Sequence, residues 1–118
     1  MHSVGDLSKN FSRHEFDCKH CGALVGPHPT LIAVLQRLRD ARDAPLRIVS
    51  GTRCVVHNQA VGGSKNSQHI VGRAADIPAG AVTVREAQAA GVVGCGLRNG
   101  HVVHVDVRPM RSFFTFRD

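Results

Sequence analysis

Two short runs constrain this chain more than any other part of it: Ser67-Gln68-His69-Ile70-Val71-Gly72-Arg73-Ala74-Ala75-Asp76 and His101-Val102-Val103-His104-Val105-Asp106. The first supplies His69 and, seven residues on, Asp76; the second supplies His104 inside an otherwise apolar β-like run. Two imidazoles and one carboxylate make a three-ligand set for Zn2+ that leaves a fourth position open to water. Open sites of this kind are catalytic, whereas closed four-ligand sites are structural. An open zinc lowers the pKa of its water and polarises a carbonyl, which suits amide hydrolysis. Strand alternation places Val102, His104 and Asp106 on one face, with His101, Val103, Val105 and Val107 on the other. Two polar side chains on one face of a Val-rich strand need partners if they are buried. A metal would satisfy His104; a metal-free His–Asp hydrogen bond is the alternative.

The rest of the chain reads as short elements around these runs. Ser12-Arg13-His14-Glu15 resembles a capping box and predicts one helical turn. Leu31, Val34, Leu35 and Leu38 form a single apolar face, so Thr30–Arg42 reads as a helix with Thr30 as N-cap and Ala44-Pro45 as its end. Leu46 to Val49 reads as a short strand, Asn58 to Ser67 as loop, and Gly72 to Pro78 as a strand stopped by the proline. Thr83 to Ala90 is a second helix, with Thr83 as N-cap, Glu86 at N3 and Gly91 as C-cap. Val92 to Leu97 is a strand or irregular run, and Arg98-Asn99-Gly100 carries a hairpin signal. His101 to Val107 reads as the final strand, and Phe113 to Phe116 as an apolar strap or a loose tail.

With 118 residues, one domain spanning 1–118 is expected, divided into an N-terminal segment 1–29 and a core 30–118. No Trp and no Tyr occur and only five Phe, so the core must be mainly aliphatic. The formal net charge of +6 suits a polyanionic partner: nucleic acid, anionic membrane or an acidic wall polymer. The basic residues are scattered, so no nucleic-acid arm is visible, and no apolar stretch is long enough for a membrane span. Met1 to Phe11 lacks the apolar region of a secretory signal, which predicts synthesis and retention in the cytoplasm unless another agent exports the protein. The four cysteines, Cys18, Cys21, Cys54 and Cys95, are then expected to be reduced. Cys18-x-x-Cys21 has metal-ligand spacing, and a second zinc site with Cys54 and Cys95, or with His20, is an alternative to plain thiols, as are disulfides.

Ser-x-His-x-x-Gly-x-Ala-x-Asp followed by His-x-Asp resembles the zinc peptidases of the D-alanyl-D-alanine carboxypeptidase group, family M15. It is most similar to the short bacterial and bacteriophage forms that cut cell-wall peptides. The VanX-type dipeptidases and the hedgehog signalling domain share that fold. Ser50-Gly51-Thr52-Arg53, His57-Asn58, Val61-Gly62-Gly63-Ser64 and the opening Asn10 to Cys18 are similar to family segments, as is the Val-Asp-Val-Arg run ending at Arg108. The resemblance spans about residues 8–109. It implies a small α+β fold with an antiparallel sheet, helices against one face and the zinc cleft on the other. It implies His69, Asp76 and His104 as ligands, and Arg53 as the arginine that steadies the site or meets a substrate carboxylate. Ser67 would bind substrate backbone or shape its loop. The implied substrate is a peptidoglycan peptide, cut as a D-Ala-D-Ala carboxypeptidase or crosslink endopeptidase. A monomer is expected, acting on the wall once released by phage lysis or carried on a virion.

One position departs from the family. Many relatives carry Asp or Glu three residues before the second zinc histidine, where this chain has His101. A neutral imidazole can take a proton from water, so His101 is the favoured general base. Alternation turns it away from His104 unless a bulge re-aims it. Asp106 shares the His104 face and is the alternative base, or it orients the ligand from behind. His57 reads as structural. Two other functions compete: a non-catalytic zinc module in the manner of the hedgehog domain, and a zinc-stabilised nucleic-acid binder. The second lacks stacking Tyr and Trp and any basic block, so no nucleic-acid partner is expected.

Overall fold

A computed structural model of the chain describes residues 7–19, 26–63, 67–109 and 112–115. After a 3-10 turn at Arg13–Phe16 come α1 (Pro29–Arg42), α2 (Val55–Ala60), β1 (Ala74–Asp76), α3 (Val84–Ala90), β2 (Gly94–Arg98), β3 (His101–Asp106) and β4 (Ser112–Thr115). The strands form one sheet in the order β1-β3-β2-β4. The class is α+β, as expected. Three of the strands pair antiparallel, while β4 joins β2 in parallel. His101–Asp106 is therefore not the final strand, and part of the expected strap enters the sheet. His2, His20, Cys21, Ser64 and Phe116 lie outside the described residues.

Local chemistry accounts for the helix ends. The Ser12 N–H donates to Glu15 Oε2 at 2.6 Å, closing the box that starts the first turn. Thr83 and Glu86 exchange bonds of 2.8 and 3.0 Å at the head of α3, and Gly91 ends it with a left-handed φ of 98°. Helix α1 starts one residue before the expected Thr30, because Pro29 occupies the first turn without needing an N–H donor. Its cap is His28, whose Nδ1 accepts the Thr30 N–H at 3.1 Å.

Two expected elements change. Leu46 to Val49 is not a strand: only Ser50 bridges to Asp76, after which the Thr52 N–H turns to the Phe16 carbonyl at 2.9 Å. The next bonded pair of such a ladder would need an N–H from Pro78, which has none. Asn58 to Ala60, expected as loop, completes α2, whose cap is the Cys54 sulfur accepting the His57 N–H at 3.3 Å. A cysteine cap leaves none of the usual Ser, Thr or Asp signal.

One buried cluster runs from Phe11 to Val107. It takes Leu31, Val34, Leu35 and Leu38 from α1, Ala87 and Ala90 from α3, and Ala75, Cys95, Val102 and Val105 from the sheet. The core is largely aliphatic, with Phe11 and Phe16 added at a ring-centroid distance of 6.3 Å. These two rings bind the N-terminal segment to the same core. Arg37 ties α1 to the carbonyl end of α3 through a 2.8 Å bond to Ala90.

Asn99 and Gly100, with φ of 53° and 79°, turn the chain between β2 and β3. The register shifts between Gly96, opposite His104, and Leu97, opposite Val102, so Val103 is an extra residue in β3. This bulge corrects the simple alternation. Val102 turns into the core beside Val105 and Val107, away from the face it was expected to share with His104. Alternation from Val102 then puts His101 on the His104 side of the sheet.

The close approach at Gly51 generates a prediction. A Cβ there would lie 2.5 Å from the Phe16 Cα and 2.8 Å from its carbonyl oxygen. Backbone cannot yield as a flexible side chain can. Gly51→Ala is expected to lower stability by about 1–3 kcal/mol, the usual size of overpacking, measured by urea unfolding. An unchanged midpoint would contradict this packing.

Candidate metal centre

β1 and β3 bring two of the three expected ligands together. Asp76 and His104 are direct antiparallel partners, so their side chains share a face. His69 reaches the same point from the turn before β1, and its N–H is fixed by Ser67 Oγ at 3.2 Å. Among the described residues, His69, Asp76 and His104 form a group whose ligand atoms all lie within 4.8 Å of one another. His69 Nε2 and His104 Nδ1 each lie 3.1 Å from Asp76 Oδ1. The two rings stand at 71° with centroids 5.1 Å apart. For tetrahedral arms of about 2.0–2.2 Å, neighbouring ligand atoms are roughly 3.3 Å apart, so the spacing fits.

Each ring of the group is held from behind. His69 Nδ1 lies 2.6 Å from the Gly51 carbonyl, which can only accept, so that nitrogen carries the proton. His104 Nε2–H donates to Asp106 Oδ2 at 2.7 Å. The nitrogens facing Asp76 are therefore lone pairs when the rings are neutral. Two lone pairs and a carboxylate oxygen repel one another unless a cation lies among them. A proton or a metal ion can fill that role, and fixed tautomers of this kind are what metal-ligating histidines require.

Arg53 donates to the other Asp76 oxygen at 2.8 Å. It also contacts Asn58 Oδ1 at 3.3 Å and Ser50 Oγ at 3.4 Å, and its side chain is only 13% exposed. Asp106 is fully buried, and its oxygens meet both His104 and Arg108. His101 is exposed at the start of β3; a Cβ on Gly80 would lie 3.5 Å from its Nδ1. His57 sits on α2. The Cys54 N–H donates to Cys18 Sγ at 3.3 Å, so these two residues adjoin beside the Arg53 loop. Cys95 lies apart from them on β2, facing the core opposite Val105. Sequence patterns alone do not disclose Gly51 and Arg108 as partners of the site, because one acts through its carbonyl and the other through a second side chain.

The charges follow from these contacts. Burial alone would raise the Asp76 carboxyl, but the hydrogen bonds from His104 and His69 outweigh it and hold it well below the usual range. Burial likewise opposes ionisation of Asp106, and His104 and Arg108 reverse the effect. Burial disfavours the charged His104 ring, yet its bonds to Asp106 and Asp76 raise its pKa above the ordinary value.

A pH dependence follows for the metal-free protein. Because the folded pKa of His104 is raised, its contribution is complete below the unfolded value of about 6.5 and is lost as pH rises through the folded value. The urea midpoint in the presence of a chelator should fall across that window. His104→Asn should remove that part of the slope; an identical slope in the variant would contradict the assignment.

The peptidase M15 family model matches residues 9–106. A comparison with curated proteins finds no match. None of the helices among the described residues is long and apolar enough to cross a membrane. The matched span covers most of the chain and contains all three clustered side chains, so the protein belongs to the peptidase M15 family.

Proposed function

We propose that this protein is a zinc-dependent peptidase that hydrolyses an amide bond in a peptidoglycan peptide, as a D-Ala-D-Ala carboxypeptidase or a crosslink endopeptidase. The observation that carries this reading is the convergence of His69 Nε2, His104 Nδ1 and Asp76 Oδ1, with the opposite atom of each group already engaged. Two imidazoles and one carboxylate suit zinc, and three protein ligands leave room for water and substrate. When bound, the metal supplies Lewis acidity toward the scissile carbonyl and an acidified water. The net charge of +6 complements an acidic wall polymer. The likeness of the motifs to short wall-cutting forms suggests a lysis or virion-borne role, and we propose that the protein acts as a monomer.

The chain's own residues divide the remaining work. Arg53 is nearly buried and spends its guanidinium on Asp76, which supports a role in steadying that ligand. Ser67 shapes the turn before His69. Asp106 has both oxygens engaged and is buried, which supports orienting His104 rather than exchanging protons with substrate. His101 is the better general base: it is exposed, and the Val103 bulge returns it to the His104 side. Its imidazole would take a proton from the attacking water and return it to the leaving amine.

Zinc-loaded wild type should release products from purified muropeptides, read by mass spectrometry. His104→Ala should lose both zinc and activity. His101→Ala should keep zinc and lose roughly 10²–10⁴-fold in kcat. Near-wild-type turnover by His101→Ala would remove it as the base. The histidine at 101, where many family members carry an acid, favours a second reading: a zinc module that binds a partner without catalysis. Inactivity of zinc-loaded wild type on every wall fragment would select that reading.

A further inference from the structure

Arg108 lies just beyond β3 and outside the three-ligand group, yet it is bound tightly to the residue behind His104. Its Nε lies 2.9 and 3.0 Å from the two Asp106 oxygens, and its Nη2 lies 2.6 Å from Oδ2. Its backbone N–H adds a 3.1 Å bond to Oδ1. The carboxylate so held is 0% exposed. Across the sheet its register partner is Gly94. A Cβ at Gly94 would fall on both Asp106 oxygens and on Arg108 Nε. The space for the ion pair therefore exists because β2 has no side chain there. On its other side, Asp106 Oδ2 accepts the His104 Nε2–H at 2.7 Å. A carboxylate free to rotate could offer either oxygen in several directions; with Arg108 in place, Oδ2 is committed to the ring.

We propose that Arg108 is a positioning residue that acts through Asp106 to keep His104 Nδ1 turned toward the metal, and that Gly94 provides the space this arrangement needs. The inference rests on His69, Asp76 and His104 being the metal site. The planar fork of arginine matches a carboxylate in a way that a lysine point charge does not. Partners one step behind a metal-ligating histidine typically change metal affinity by about 10–100-fold.

The test uses the full chain, with zinc affinity measured by competition against a chromophoric chelator and the absorption bands of the cobalt(II)-loaded protein as a second readout. Arg108→Met should weaken zinc binding by about 10–100-fold and alter the cobalt bands, and Arg108→Lys should restore part of both. Because Arg108 acts through Asp106, Arg108→Met should add little in an Asp106→Asn background. Gly94→Ala, which leaves the arginine chemically intact, should weaken zinc binding in the same direction. A purely structural Arg108 would lower Tm while leaving the affinity and cobalt bands of the folded variant at wild-type values, and that result overturns the proposal. A full additional loss in the Asp106→Asn background also overturns it. If Arg108→Met does not fold, wild-type affinity and bands in Gly94→Ala overturn it. Unchanged zinc affinity in His104→Ala defeats the metal reading itself, and is distinct from an unchanged Arg108→Met beside a zinc-deficient His104→Ala.

Discussion

The antiparallel register that sets Asp76 opposite His104 is the constraint on which the site depends. It places a carboxylate and an imidazole on one face of the sheet with no further loop needed to aim them. His69 completes the group only because its ring is pinned to the Gly51 carbonyl, and Gly51 can come so near because it has no side chain to meet Phe16. The N-terminal Phe16 thus takes part in the geometry of a candidate ligand far along the chain. Core packing and site geometry meet at that contact.

The charges alternate across the site. Arg53 and Arg108 stand at its two ends, Asp76 and Asp106 inside them and His104 between the two carboxylates, with His69 set against Asp76 alone. Isolated, a buried carboxylate such as Asp106 would cost several kcal/mol of desolvation. Paired on both sides, it is held ionised and aligned. Such networks contribute little net stability compared with an apolar core of equal volume. Their effect here is directional: Asp106 determines which nitrogen of His104 carries the proton, as the Gly51 carbonyl does for His69, and so which nitrogen of each ring faces Asp76.

Much of this was legible in the sequence. The seven-residue step from His69 to Asp76, the apolar run around His104 and the family likeness identified the group that the fold assembles. The α3 capping box and the Asn99-Gly100 turn were readable because their chemistry is local. The bulge at Val103 was not readable, because it is set by pairing with β2, and it reverses the faces assigned to His101 and Val102. Helix α2 was hidden by its sulfur cap and a Gly/Ser/Asn-rich neighbourhood. The parallel pairing of β4 with β2 is a long-range contact without a local signature. Arg108 was visible only as part of a motif, since its task depends on the emptiness at Gly94.

In the proposed site a metal is held by two imidazoles and a carboxylate, not by the cysteines that adjoin the site's loop. X-ray absorption at the zinc edge of the zinc-loaded protein tests it most directly. One zinc surrounded by nitrogen and oxygen at about 2.0–2.1 Å is expected, with imidazole scattering from two rings. A sulfur shell at about 2.3 Å, retained when His104 is replaced by alanine, would contradict it.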